Sequence, residues 1–108
     1  MGNLEEIKKR FLENNLSVRL GCIASDLARI SSFIKIRNNQ RVVNDLIEES
    51  KFFIEWMAPK VSLDIQEQLV NLQIKLALLK GSKETEIAKL TDNWSGKILK
   101  LSGLTKGF

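Results

Sequence analysis

The spacing of the apolar residues constrains this chain more than anything else in it. Leu16, Leu20, Ile23, Leu27, Ile30 and Ile34 follow one another at gaps of 4, 3, 4, 3 and 4. Val43, Ile47, Ser50, Ile54 and Met57 step 4, 3, 4, 3, and so do Ile65, Leu69, Leu72, Leu76 and Leu79. A strand turns every second side chain to the same face, whereas a helix repeats every 3.6 residues, so this rhythm keeps apolar groups on one side only if the backbone is helical. The two alternating runs, residues 34–37 and 99–102, are four residues long and lie inside longer helical patterns.

Boundaries follow from the polar residues between these seams. Asn3 with Glu6 reads as a capping pair that opens a short first helix with Leu4, Ile7 and Phe11 on one face. Continuing that phase reaches Asn14, Val18 and Gly21, so the next seam has slipped by two residues, about 200° around a helix. The slip predicts a break near Asn14–Asn15. The second helix is expected to end at Arg37–Asn39, and the third to run from Gln40 to Ala58, before Pro59. Ser62 is the expected cap of the fourth, Gly81 its stop and Ser82 the cap of a fifth carrying Ile87, Leu90, Trp94, Ile98 and Leu101, with Thr91–Asn93 as a possible interruption. Short connections between long helices favour antiparallel neighbours. The expectation is therefore an all-α fold: an antiparallel up-and-down bundle of four main helices plus a short N-terminal helix over residues 1–15. A single domain spans 1–108, with a frayed tail over 103–108.

Composition removes whole classes of chemistry. With no His, one Cys and no Tyr, the chain has no imidazole for acid–base work, no His-ligated metal, no intrachain disulfide and no Cys-rich zinc site. A Gly-rich phosphate loop and a nucleophile elbow are both missing from its motifs. No catalytic constellation emerges, so an enzyme is not expected and no cofactor is implied. Lys and Arg number 17 against 13 Asp and Glu, a net +4, which is mildly basic and well short of a nucleic-acid tail. No run approaches the ~18 apolar residues of a membrane span. The first ten residues are charged from Glu5 onward and lack a secretory core, so the expected setting is cytoplasmic with no membrane partner. Cys22, on an apolar helical face, reads as a small buried hydrophobe.

The fourth helix is apolar on more than one stripe. Beyond its seam, Val70, Ile74 and Ala77 form a second face. A helix apolar all round is central in its domain or covered by something else. The cover is either the chain's own N-terminal helix or another chain, most simply a second copy. Phe52 and Trp56, four residues apart on the third helix, add an aromatic edge that reads as inward packing or as an interface anchor. Phe52, Trp56, Val70, Ile74 and Ala77 are thus the candidate interface, with a homodimer or another protein as partner.

Charged residues offer two weaker alternatives. Asp45-x-x-Glu48 and Asp64-x-x-Glu67 resemble the paired acidic motifs with which all-α nucleotide pyrophosphatases hold magnesium. If the third and fourth helices fold back on one another, however, the pairs sit about 15 Å apart along the axis at 1.5 Å per residue, too far to share an ion that needs oxygens at about 2.1 Å. A solvated acidic face explains them more simply, and a magnesium-dependent nucleotide hydrolase ranks last. Lys35, Arg37 and Arg41 flank the turn between the second and third helices and are a candidate basic contact for phosphate. Without aromatic platforms or a recognised spacing, a solvated turn outweighs a nucleic-acid-binding regulator there.

The runs Ala24-Ser-Asp-Leu-Ala-Arg-Ile-Ser-Ser-Phe33, Leu46-Ile-Glu-Glu-Ser-Lys-Phe-Phe-Ile-Glu-Trp56 and Leu69-Val-Asn-Leu-Gln-Ile-Lys-Leu-Ala-Leu-Leu79, with Trp94 and the ending Leu101-Ser-Gly-Leu104, resemble a family of small, uncharacterised cyanobacterial proteins. The resemblance covers most of the chain beyond residue 15. It implies a bacterial cytoplasmic setting and a specialised partner, and it brings no activity and no site residues. The functional expectation is a non-catalytic helical interaction or adaptor protein that acts through self-association or partner docking.

Overall fold

In the computed structural model, which describes residues 3–36 and 39–103, two asparagine side chains open the first two helices. Asn3 accepts the Glu5 N–H at 3.0 Å and starts α1, Leu4–Glu13. Asn14 then leaves helical geometry, and Asn15 accepts the Val18 N–H at 2.9 Å to start α2, Leu16–Phe33. Each cap satisfies an amide that the first helical turn leaves without a partner. The break falls where the phase of the apolar residues slips.

Helix α2 stops about a turn short of the expected Arg37–Asn39. Ile34 serves as its cap while staying buried, and residues 34–36 turn; Arg37 and Asn38 lie outside the described residues. α3, Gln40–Met57, begins as expected and gives way at Pro59 to a 3-10 turn, Ala58–Lys60. α4, Leu63–Ala77, follows Ser62 and also ends early, with Leu78–Lys80 in turns and Gly81 at φ +83°, a left-handed conformation that suits glycine. α5, Glu84–Ser102, is capped by Lys83 and not by Ser82, because the Ser82 hydroxyl donates back to the Leu78 carbonyl at 3.4 Å. Thr91–Asn93 does not interrupt α5. Thr91 is buried and its hydroxyl donates to the Ile87 carbonyl one turn back at 2.8 Å, a local bond that keeps the polar group satisfied within the helix. Gly103, at φ +76°, closes the helix; the rest of the expected tail, 104–108, is outside the described residues.

Helix α2 is the shared partner of the fold, packing on both α5 and α3. It meets α5 through small residues: the Ser95 hydroxyl donates to the Ala24 carbonyl at 2.8 Å, a backbone contact that a bulkier α2 face would prevent. α3 in turn carries α1 and α4. The Phe11 ring of α1 stacks on Phe53 at 4.3 Å, nearly parallel, and Trp56 tilts against both. α4 is tied to α3 by the Gln73 amide donating to the Lys51 carbonyl at 3.4 Å and by the Gln66 amide donating to the Ala58 carbonyl at 3.0 Å. The core gathers Leu20, Ile23, Leu27 and Ile30 with Ile54, Met57, Leu69, Leu72, Leu76, Trp94 and Ile98. A radius of gyration of 13.5 Å is close to the ~13 Å of a compact chain of this length, so the helices share one globule. Among the described residues there is no strand, and no helix is long and apolar enough to cross a membrane.

The two faces of α4 give this packing a direct check. Leu72→Ala empties a fully buried site and is expected to cost about 2–5 kcal/mol, whereas Val70→Ala, two residues away on the outside, is expected to stay within about 0.5 kcal/mol in dilute solution. Urea unfolding of the two variants separates them; equal losses would show that the helix is rotated from the orientation described.

Candidate functional site

Two covers for the second face of α4 were open on sequence grounds, and the structure removes one of them. The N-terminal helix does not lie there: its Phe11 is spent on Phe53 and Trp56 of α3. Leu69, Leu72 and Leu76 face the core, and the opposite side is bare, with Leu63 79% exposed, Leu78 72%, Ile74 55% and Val70 41%. Ala77 is exposed between them. At 100° per residue these five positions occupy about 100° of arc. These side chains stand on one side of the helix and are not scattered singly over the surface. Sequence reasoning named Val70, Ile74 and Ala77; it missed Leu63 and Leu78, which share the same arc and are the most exposed of the set.

The other candidate residues are placed differently. Phe52 and Trp56 are half-buried and stack on each other at 5.6 Å, with Trp56 also in the ring cluster beneath α1. Trp56 belongs to the packing of α1 on α3, and Phe52 joins that cluster through it. Lys35 and Arg41 are exposed on either side of the turn between α2 and α3, and Arg37 falls outside the described residues. The acidic pairs stay apart: the start of α4 sits against Ala58 at the end of α3, while Asp45 and Glu48 lie ten residues or more further up α3. Among the described residues, no group of three or more thiols and carboxylates is placed to hold a metal ion.

A cleft of about 620 Å³ opens between α3 and the α4–α5 connection, lined by Gln40, Asn44, Lys51, Lys80, Ser82 and Glu84 among others. Lys51 is paired there with Glu48 at 3.3 Å. A shallower apolar groove of about 410 Å³ runs along α2 beside α5, past Gly21, Cys22, Ser25, Ala28 and Leu99. Cys22 is half-exposed on this groove and not fully buried as its apolar face suggests. Partial burial and then the charges of Asp26 and Glu49 push its thiol up, with Arg29 opposing, so it remains a thiol at neutral pH and a poor nucleophile.

One polar feature escaped the sequence reading altogether. Asp26, on α2, is only 2% exposed, and its Oδ2 has no donor among the neighbouring groups. Burial, then a hydrogen bond shared with Glu49 of α3, then the Glu49 charge push Asp26 up to about 8, against the pull of Arg29, whose guanidinium lies 3.7 Å from Oδ1. Held up in this way, the Asp26 carboxyl keeps an O–H that can serve as a donor toward Glu49. Nothing in the apolar spacing signals this, because Asp26 sits beside the seam between Ile23 and Leu27 and is buried only once α3 packs over it.

No family model, no curated protein and no solved structure matches the chain.

The buried carboxyl makes stability depend on pH with a definite sign. An unfolded chain releases the Asp26 proton near 3.8, whereas the folded chain holds it until about 8. Between those values the folded state binds more protons, so its contribution to stability falls as pH rises from about 4 to about 8 and levels off beyond. Asp26→Asn keeps a donor toward Glu49 without the titration. Urea midpoints measured across this window are expected to flatten in the variant and to lie above wild type at pH 8; a variant that keeps the wild-type slope would place the titration elsewhere.

Proposed function

We propose that this chain is a non-catalytic helical association protein whose working surface is the outer face of α4. The observation that carries the reading is the bare stripe of Leu63, Val70, Ile74, Ala77 and Leu78 on a helix that already buries its opposite side. A helix needs one apolar stripe to join its own core. A second stripe, kept apolar through two turns and left open to water, costs solubility without adding to the fold, and it is accounted for by burial against another surface. The polar groups gathered elsewhere support the same reading: among the described residues the shifted carboxyl of Asp26 sits between α2 and α3 and does not line the larger cleft, and burial with the neighbouring carboxylates holds the Cys22 thiol up and weakly nucleophilic. The up-and-down antiparallel order of the helices belongs to the proposal as well. It is supported by the paired contacts 51 with 73 and 58 with 66, which run in opposite senses along α3 and α4.

Capture from the native cell tests this. Tagged wild-type chain and the Val70→Glu/Ile74→Glu variant are compared after checking by circular dichroism and melting that the variant stays folded, as these exposed positions lead one to expect. The variant is expected to lose whatever the wild type retains, be it further copies of the chain or a different protein. Identical retention by both would overturn α4 as the working surface.

A further inference from the structure

The outer face of α4 is self-complementary in one register, and from this we infer that its occupant is a second copy of the chain, docked antiparallel about a two-fold axis that passes between Val70 and Asn71. The inference rests on the reading of α4 as the association surface and adds the partner, its direction and its alignment.

Asp64 and Glu67 lie in the N-terminal half of α4 and Lys75 in its last turn: at 100° per residue Asp64 and Lys75 stand together on one flank of the apolar stripe, and Glu67 stands within the stripe, between Ile74 and Leu78 on the side of that flank. None of the three makes an ion pair within the described part of the chain, where the pairs are Glu6 with Arg10, Asp26 with Arg29 and Glu48 with Lys51. A two-fold axis perpendicular to both helices keeps that flank on the same side in each copy while reversing the helix direction. In this register residue numbers facing each other sum to 141. Lys75 of one copy then comes level with residue 66 of the other, between Asp64 and Glu67, and the same contact recurs across the axis. A parallel two-fold pairing would put the two charged flanks on opposite sides of the contact, where Lys75 has no carboxylate of the other copy's Asp64 and Glu67 beside it.

The apolar groups match in the same alignment. Leu63 and Leu78, the two most exposed, sum to 141 and cover each other at both ends of the interface. Val70 lies beside the axis against its own copy, and Ile74 meets the methylene stem of Glu67. Asn71, exposed on the charged flank, is brought next to the second copy's Asn71, where the two amides can each donate and accept. Charge, apolar ends and central polar pair thus select one register. A partner of a different sequence would have to reproduce this pattern independently.

The test uses purified chain. Sedimentation at micromolar to high micromolar concentration is expected to show a dimer that Ile74→Glu abolishes. Lys75→Glu is expected to weaken it about tenfold at low salt, and adding Asp64→Lys with Glu67→Lys to recover most of the loss. Direction is read by cross-linking in a Cys22→Ala background with a short thiol-specific linker. Leu63→Cys together with Leu78→Cys is expected to join two copies efficiently, as is Val70→Cys alone. Leu63→Cys alone is not, because the two positions 63 would stand about 22 Å apart at 1.5 Å per residue. A wild-type chain that stays monomeric throughout overturns the second copy as occupant and leaves the α4 surface to the capture experiment. A dimer indifferent to Ile74→Glu overturns the surface itself. A dimer that Ile74→Glu abolishes but in which Leu63→Cys alone cross-links overturns the antiparallel register while the surface stands.

Discussion

The approach of α2 to α5 is the contact on which the rest of the fold depends. Ala24, buried on α2 with little side-chain bulk, lets α5 come close enough for the Ser95 hydroxyl to reach the Ala24 carbonyl, while Ser25 and Ala28 beside it stay exposed along the groove. Seventy-one residues of chain separate the two groups, so the bond records a closure that only the assembled fold can make. With α5 and α3 both packed on α2, its seam of Leu20, Ile23, Leu27 and Ile30 is fully buried. α3 then has to carry everything that remains. The N-terminal helix sits on its aromatic end and α4 on its other contacts, and among the described residues nothing covers the outer side of α4.

That order of packing explains which parts of the structure could be read in the sequence. Helix number and type were legible because the 4-3 rhythm has no strand solution, and the break at Asn14–Asn15 was legible because a change of phase cannot be absorbed within one straight helix. Helix ends were less so. Ser82 has the chemistry of a cap, yet its hydroxyl is taken by Leu78, so Lys83 holds the position through backbone geometry alone. Thr91 and its polar neighbours resemble an interruption until the hydroxyl folds back on the helix itself. The second apolar side of α4 was visible from spacing; its exposure was not, since that depended on where Phe11 would dock.

Asp26 marks the limit of periodicity as a guide. A helical wheel gives the direction of a side chain but not what arrives to cover it, and a carboxyl beside a seam reads as solvated until a second helix brings its own carboxyl against it. Burial and the neighbouring Glu49 together make ionisation of Asp26 costly, so between α2 and α3 it stands as a carboxyl held well above its ordinary range. Ser50, buried nearby in sequence on α3 with an unpartnered hydroxyl, adds to the polar character of a helix otherwise given to Val43, Leu46, Ile54 and Met57. The core thus combines a dry region around α4 and the aromatic rings with one small acidic inclusion.

The two tryptophans fall in these separate regions. Trp94 lies in the core on α5 with the Lys97 ammonium 4.7 Å above its ring, while Trp56 sits half-covered among phenyl groups at the seat of α1. As the chain has no Tyr, all of its near-ultraviolet emission comes from these two indoles in unlike surroundings. Intrinsic fluorescence therefore carries two built-in reporters, one watching the closure of the last helix and the other the seating of the first, and quenching either by substitution would isolate the light of a single end of the molecule.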